Sequence, residues 1–383
     1  MKKISPNFLI FIILILSILA PFGIDEFTPS LPFMVKSLHT TSTSVQLTIT
    51  FYLMGMAISQ LFLGPISDKI GRRSVLLFTI PIFFLGSVFC IYANFAYILW
   101  IGRALQGIGL GGIAFIPAAM ASESFTGKKF HQVTSYLIII FSVVTLISPV
   151  VGGHLQDSFG WRSNFIFLLI LSILIYLFIL FFSPETHQPK EHHKLSFFKF
   201  FLIFFDLLKN KTFVCSSICS FITWIYAILF SMIAPFIFES TRKYSATQYG
   251  YIALIIGGGF IIGSYLNLFF IKFFKPKSII IASMIMAFFF SLALTFISML
   301  NIINVFSVLI PVFLVILTCG IVYPRIMSLA LKSNPKYVGI VASFYGVFLL
   351  AGNSLVTFYR IYFPSTFTYC ACGNLYLFSS DQS

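Results

Sequence analysis

Charge is what this chain has least of. Only 9% of its 383 residues are Asp, Glu, Lys or Arg, against about 25% in an ordinary soluble domain. So few charges cannot clothe a water-facing surface, which excludes a soluble core of this length. Acids are the scarcer sign, 10 against 24 bases. The six cysteines are too scattered for a disulfide framework. Cys215 and Cys219 share a helix face with no His or acid beside them, which argues against a metal site. No phosphate-binding loop is present. Gly257-Gly258-Gly259 and Gly263 lie in an apolar run, not between a strand and a helix, and read as a packing face. An ATP-driven machine is therefore excluded, and no catalytic set, metal site or cofactor is expected.

What is there is hydrophobic length. The chain is 59% hydrophobic and holds 50 Phe. About twenty apolar residues span a bilayer, and eleven such runs can be drawn, near 8–31, 45–66, 74–94, 97–122, 132–154, 164–182, 213–236, 247–271, 278–299, 303–324 and 337–362. The runs are continuous and do not alternate, which argues for helices and against a β-barrel. Met1-Lys2-Lys3 before the first run resembles a signal peptide. The run is too long for one and no A-x-A site follows, so it reads as the first span.

The net charge of +14 is a matter of topology, not of nucleic-acid binding. With the N-terminus placed in the cytoplasm, 18 Lys and Arg fall on the cytoplasmic side and 5 on the other, with Arg103 alone inside a span. That bias predicts a cytoplasmic N-terminus. Six spans (1–183) precede one long polar connection (184–212), which holds His192 and His193 as solvated residues rather than ligands. Five more spans follow (213–362). The last stretch, 363–383, with Cys370-Ala371-Cys372, is too polar and short for a twelfth span. The expectation is an all-α polytopic membrane protein of two six-helix bundles, with the last helix missing or degenerate.

Four stretches carry chemistry. Between spans two and three stands Gly64-Pro65-Ile66-Ser67-Asp68-Lys69-Ile70-Gly71-Arg72-Arg73. It resembles the G-x-L-x-D-x-x-G-R-R loop of the major facilitator superfamily. The resemblance implies a latch that closes the cytoplasmic side, joined by an acid at the end of span four, here Glu123. In span four, Arg103-Ala104-Leu105-Gln106-Gly107-Ile108-Gly109 resembles that family's R-x-x-Q-G-x-G element. In span five, Ser148-Pro149-Val150-Val151-Gly152-Gly153 resembles the G-P-x-x-G-G element of its antiporters, with Ser148 for the first glycine. Proline before paired glycines predicts a bend and close packing. Gly160-Trp161-Arg162 and Ser183-Pro184-Glu185-Thr186 also fall where the family places such residues.

The first span ends in Ile24-Asp25-Glu26-Phe27-Thr28-Pro29-Ser30-Leu31-Pro32. This resembles the T-D-M-Y-L-P-A-x-P of the bicyclomycin/chloramphenicol resistance type of drug–proton antiporter. Asp25 takes the place of that type's intramembrane acid, and Glu26 falls where it has an apolar residue. A charge at such depth costs about 2.5–3.5 kcal/mol on insertion scales. Asp25 and Arg103 each lie six residues below the same surface, about 9 Å at 1.5 Å per residue. Arg103 must therefore be compensated, either by Asp25 or by backbone carbonyls and amides such as Gln106. Tyr52, Tyr136, Trp224 and Tyr226 are candidate cavity aromatics. The resemblance implies a monomeric inner-membrane carrier that exports drugs or small amphipathic compounds against protons. Export of a natural metabolite or siderophore, or a non-transporting remnant, are the alternatives.

Overall fold

The computed structural model describes residues 5–186, 197–241, 243–300, 305–334 and 338–362. Lys2, Lys3, His192, His193, Arg242 and the 363–383 stretch with Cys370 and Cys372 lie outside the described residues. Within them the chain is all helix. In order come α1 (Pro6–Leu16), α2 (Leu19–Asp25), α3 (Leu31–Ser37), α4 (Ser42–Ile70), α5 (Arg72–Ile91), α6 (Ala96–Ser124) and α7 (Gly127–Phe159). Then follow α8 (Arg162–Phe182), α9 (Phe197–Lys209), α10 (Lys211–Pro235), α11 (Ala246–Phe270), α12 (Pro276–Met299), α13 (Val305–Lys332) and α14 (Val338–Tyr362). Eleven of the described segments are long and apolar enough to cross a membrane, the number read from the sequence.

Helix starts follow local chemistry. Thr41 accepts from the Ser44 amide at 3.2 Å, and Asn210 from the Thr212 amide at 2.9 Å. Ser245 and Gln248 close a capping box at the head of α11. Gly71 and Gly160 end α4 and α7 with φ of 95° and 82° and extended ψ. That region of backbone space belongs to glycine alone.

Two expectations need correction. The first span, Pro6–Ser37, is not one helix but α1, α2, a 3-10 turn at Thr28–Ser30 and α3. The physical reason is proline, which lacks the amide that would bond the carbonyl four residues back. Pro29 thus deprives the Asp25 carbonyl of its backbone donor, and the Thr28 hydroxyl donates to it instead at 2.8 Å. The linker is also not wholly loop, since α9 lies within it. Its Ile203 and Leu207 are buried with Phe213, Val341 and Phe344, and Phe204 stacks on Phe344 at 4.5 Å.

Within the first six spans, α6 packs on α4 and α5, and α5 on α8. In the later part α13 gathers α10, α11 and α12. The two parts meet along α7 with α11 and α4 with α14. Large apolar side chains face outward, among them Phe78 at 65% and Phe306 at 70% exposure, as lipid contact requires and water would not favour.

A central cavity and a charged cluster

Between the two parts lies a cavity of about 1270 Å³, its open mouth included. Its walls come from α2, α4, α6 and α7 on one side and α10, α11 and α13 on the other. The lining is mostly apolar, with Phe141, Phe230, Phe260 and Trp224 among it. Asp25 is the one acid on the described wall, and Arg103 the one base.

Asp25 reaches the cavity because it closes α2, where the prolines break the span. The Ser231 hydroxyl of α10 donates to its Oδ1 at 3.4 Å, a long contact across the two parts. Glu26 turns the other way. It is 0% exposed and lies off the cavity wall, between α7 and α8. With its amide oriented to suit both neighbours, Asn164 donates to Glu26 Oε1 at 3.1 Å and to the Gly152 carbonyl at 3.3 Å, and accepts from Ser30 at 2.6 Å. Successive residues point about 100° apart on a helix, which is why the two acids part.

Arg103 is 0% exposed. Its Nη1 donates to Gln106 Oε1 at 2.6 Å and its Nη2 to the Gly23 carbonyl at 3.0 Å. Gln106 in turn donates to Ser87 at 2.8 Å. The guanidinium lies between the rings of Phe27 and Tyr52, 4.0 Å from each centroid. Asp25 shares its cavity without forming an ion pair with it. Of the two compensations open in the sequence, the geometry is the carbonyl and amide one.

The paired glycines of α7 serve two neighbours. A Cβ on Gly152 would collide with the Glu26 carbonyl, and one on Gly153 with the Ala246 carbonyl. Gly250 of α11 approaches the Pro149 carbonyl in the same way. Gly152 and Gly153 thus let α7 touch the first span and α11 at once, while α7 runs on through Pro149 as one helix.

The second cluster sits at the end of the molecule that carries the α4–α5 connection. Arg72 bridges Asp68 at 2.6 Å and Glu123 at 2.8 Å. It also bonds Ser67 through Nη1. Glu185 accepts from the Arg72 amide at 2.9 Å and the Arg73 amide at 3.1 Å, a carboxylate on the first turn of α5. A side chain on Gly71 would occupy the Glu185 carboxylate. Arg73 donates to the Leu180 carbonyl at 2.8 Å, and Thr186 to Glu123 at 3.1 Å. Gly64 faces Ser343 of α14, so the loop's first glycine touches the later part of the chain. At the other end Arg162 donates to the carbonyls of Ile91 at 3.0 Å and Ala93 at 2.9 Å, where α5 ends.

The arrangement is a cavity between two helical parts, with a charged cluster that ties the ends of α4, α6 and α8. The sequence profile of the Major Facilitator Superfamily matches residues 11–357. The chain belongs to the major facilitator superfamily. It is accordingly a multi-pass membrane transporter of small molecules, not an enzyme. The superfamily includes an uncharacterized MFS-type transporter, YdgK, of Bacillus subtilis (strain 168), 28% identical over 91% of this chain and 87% of that one. The chain is also similar to the multidrug resistance protein MdtL of Escherichia coli (strain K12 / DH10B), 24% identical over 89% of this chain and 85% of that one. A solved D-xylose–proton symporter superposes with a TM-score of 0.75 at 16% identity, covering 93% and 90% of the two chains. The nucleoside transporter NupG, solved in a mutant form, gives 0.72 at 16%, covering 91% and 89%. These structures share the fold.

Some wall residues were not legible in the sequence. Ser231, Tyr249, Phe230 and Phe141 lie in apolar runs without a motif around them. Tyr52 and Trp224 line the cavity as expected, whereas Tyr136 is 47% exposed and Tyr226 lines a separate apolar pocket among α10, α12 and α13. Glu185 was marked by its family position, but its partner, the first turn of α5, was not legible in the sequence.

Proposed function

We propose that this transporter is a proton-coupled exporter of drugs or small amphipathic compounds, of the bicyclomycin/chloramphenicol resistance type. It works as a monomer in the bacterial inner membrane with its N-terminus in the cytoplasm. The observation that carries this reading is the single acid, Asp25, on a mostly apolar and aromatic described wall. Such a wall suits an amphipathic cargo better than a polyhydroxylated one. A lone carboxyl there can hold either a proton or a cationic cargo. The multidrug resistance relative at 24% identity points the same way, as does the 18 to 5 bias of basic residues for the orientation.

Exchange then follows in order. Cargo enters from the cytoplasm and displaces the proton of Asp25. The cavity reopens on the other side, and a proton returns as the cargo leaves. Asp25 takes this part rather than Glu26, which is closed off behind the wall. Arg103, Gln106, Phe27 and Tyr52 hold the broken span in place around it. On the cytoplasmic side the Asp68–Arg72–Glu123–Glu185 cluster with Arg73 latches the helix ends and sets the equilibrium between openings.

The test is proton release from purified protein on addition of a cationic drug, with transport followed in proteoliposomes. Wild-type protein is expected to release about one proton per drug bound, and Asp25→Asn none. Unchanged release from Asp25→Asn would overturn the assignment.

A further inference from the structure

A buried acid that the exchange cycle does not use lies at the face opposite the charged latch. Here α10 ends in a π-helical turn, Phe236–Thr241. Turns of this kind are rare and interrupt the regular register of the helix. This one carries Glu239, which is only 8% exposed. Among the described residues, neither of its carboxylate oxygens has a hydrogen-bond partner.

Across the junction stands Asp157, near the end of α7. Its Oδ1 accepts from the Ala246 amide at 3.3 Å and its Oδ2 from the Thr247 amide at 2.9 Å. Those amides open α11, so Asp157 ties the first part of the chain to the second. The turn that carries Glu239 packs on α11, the helix whose first amides Asp157 bonds. Phe238 of the same turn packs its ring on Tyr249 of α11. From α3, which packs on the turn, the charged residue is Lys36, whose side chain is exposed. Lys243, after the turn, is exposed as well. Tyr244 packs its ring on Phe238, and His154 of α7 faces Tyr251, not the acid.

One acid at this junction is thus fully bonded, and its neighbour has no described partner. A carboxylate removed from water without a donor is costly as an anion and far less so as the neutral acid. We infer that Glu239 is a second proton-binding site, separate from Asp25, whose occupancy keeps this face of the transporter shut. The ligand is the proton itself, bound to the carboxylate and released to water. With the proton on, one negative charge occupies the junction and Asp157 stays bonded to α11. With the proton off, a second negative charge joins the junction, and the new anion needs water that the closed junction lacks. Separation of α7 from α11 relieves both. This inference stands apart from the drug–proton reading, because it concerns which conformation protonation selects, whatever the cargo.

The experiment uses the full chain in lipid nanodiscs, with its six cysteines replaced by serine and spin labels at Ser158→Cys and Tyr251→Cys. Distances between the labels are measured by electron–electron resonance across pH. In parallel, infrared spectra of the unlabelled natural sequence and of Glu239→Gln record protonated carboxyl groups. The labelled parent is expected to gain a longer distance as pH rises, and Glu239→Gln to keep the short one throughout. The infrared signal of one protonated carboxyl is expected to be lost in Glu239→Gln. Asp25→Asn is expected to keep the pH-dependent opening, which separates this site from the coupling acid. The inference is overturned if Glu239→Gln opens with pH as its parent does. It is equally overturned if the carboxyl signal is the same with and without Glu239.

Discussion

Arg72 grips Glu123 with two donors, Nε at 3.0 Å and Nη2 at 2.8 Å on the same Oε1. Helix α5 is thereby tied at its first residue to the end of α6. Asp68 joins the same Nη2 from α4, but its side chain is 54% exposed, against 21% for Glu123. Water screens the exposed bridge and leaves the sheltered one stronger. Glu123→Gln should cost about 1.5–3 kcal/mol of stability, and Asp68→Asn under about 1 kcal/mol. Thermal unfolding in detergent checks the ranking. Both should also shift the balance between the two openings, and an Asp68→Asn protein with unchanged transport and unchanged conformational balance would remove its gating role.

Gly152 and Gly258 make a controlled pair. A methyl group at Gly152 meets backbone that cannot move aside, whereas nothing lies within 4 Å of the one at Gly258. Gly152→Ala is expected to lose about 2 kcal/mol or more and to lower the yield of monodisperse protein. Gly258→Ala is expected to be neutral or to gain up to about 1 kcal/mol from helix propensity. Size-exclusion profiles of the two variants, expressed side by side, read the difference.

Arg103→Lys keeps the charge and loses the geometry. A lysine ammonium cannot lie flat between Phe27 and Tyr52 while bonding Gln106 and the Gly23 carbonyl. A loss of about 2 kcal/mol or more is expected, with transport falling at least tenfold. Transport at the wild-type rate by Arg103→Lys would show that charge alone suffices.

Binding of a cationic drug should weaken as pH falls, because proton and cargo compete for Asp25. The sign is fixed by the competition: the anionic form, favoured at high pH, is the one that attracts the cation. Asp25→Asn should flatten that dependence and bind the cation at least tenfold more weakly at high pH. Ser231→Ala, which removes one long neutral donor, should cost about 1 kcal/mol or less, up to about fivefold in affinity. Equilibrium binding across pH separates the three proteins.

The sequence by itself determined the solvent, the count of spans and the family. Length and continuity of apolar runs are local properties, and the loop from Gly64 to Arg73 is a local pattern, so no folded structure was needed to read them. It also marked Asp25, Arg103 and Gln106, because a polar group in lipid is conspicuous wherever it falls. It could not show that the first span breaks into pieces, since that depends on whether neighbours satisfy the carbonyls the prolines release. Where Asp25 and Glu26 each point was decided only by tertiary structure, in which the break in the span turns one acid to the cavity and the other to Asn164. Tertiary structure also decided that Arg103 rests on two rings, a carbonyl and an amide instead of on an acid. It alone brought the turn that carries Glu239 against the helix start that Asp157 bonds, 82 residues apart by the numbering for the two acids. Partnership across such a distance is set by which helices pack together, and a chain read residue by residue carries no local sign of it.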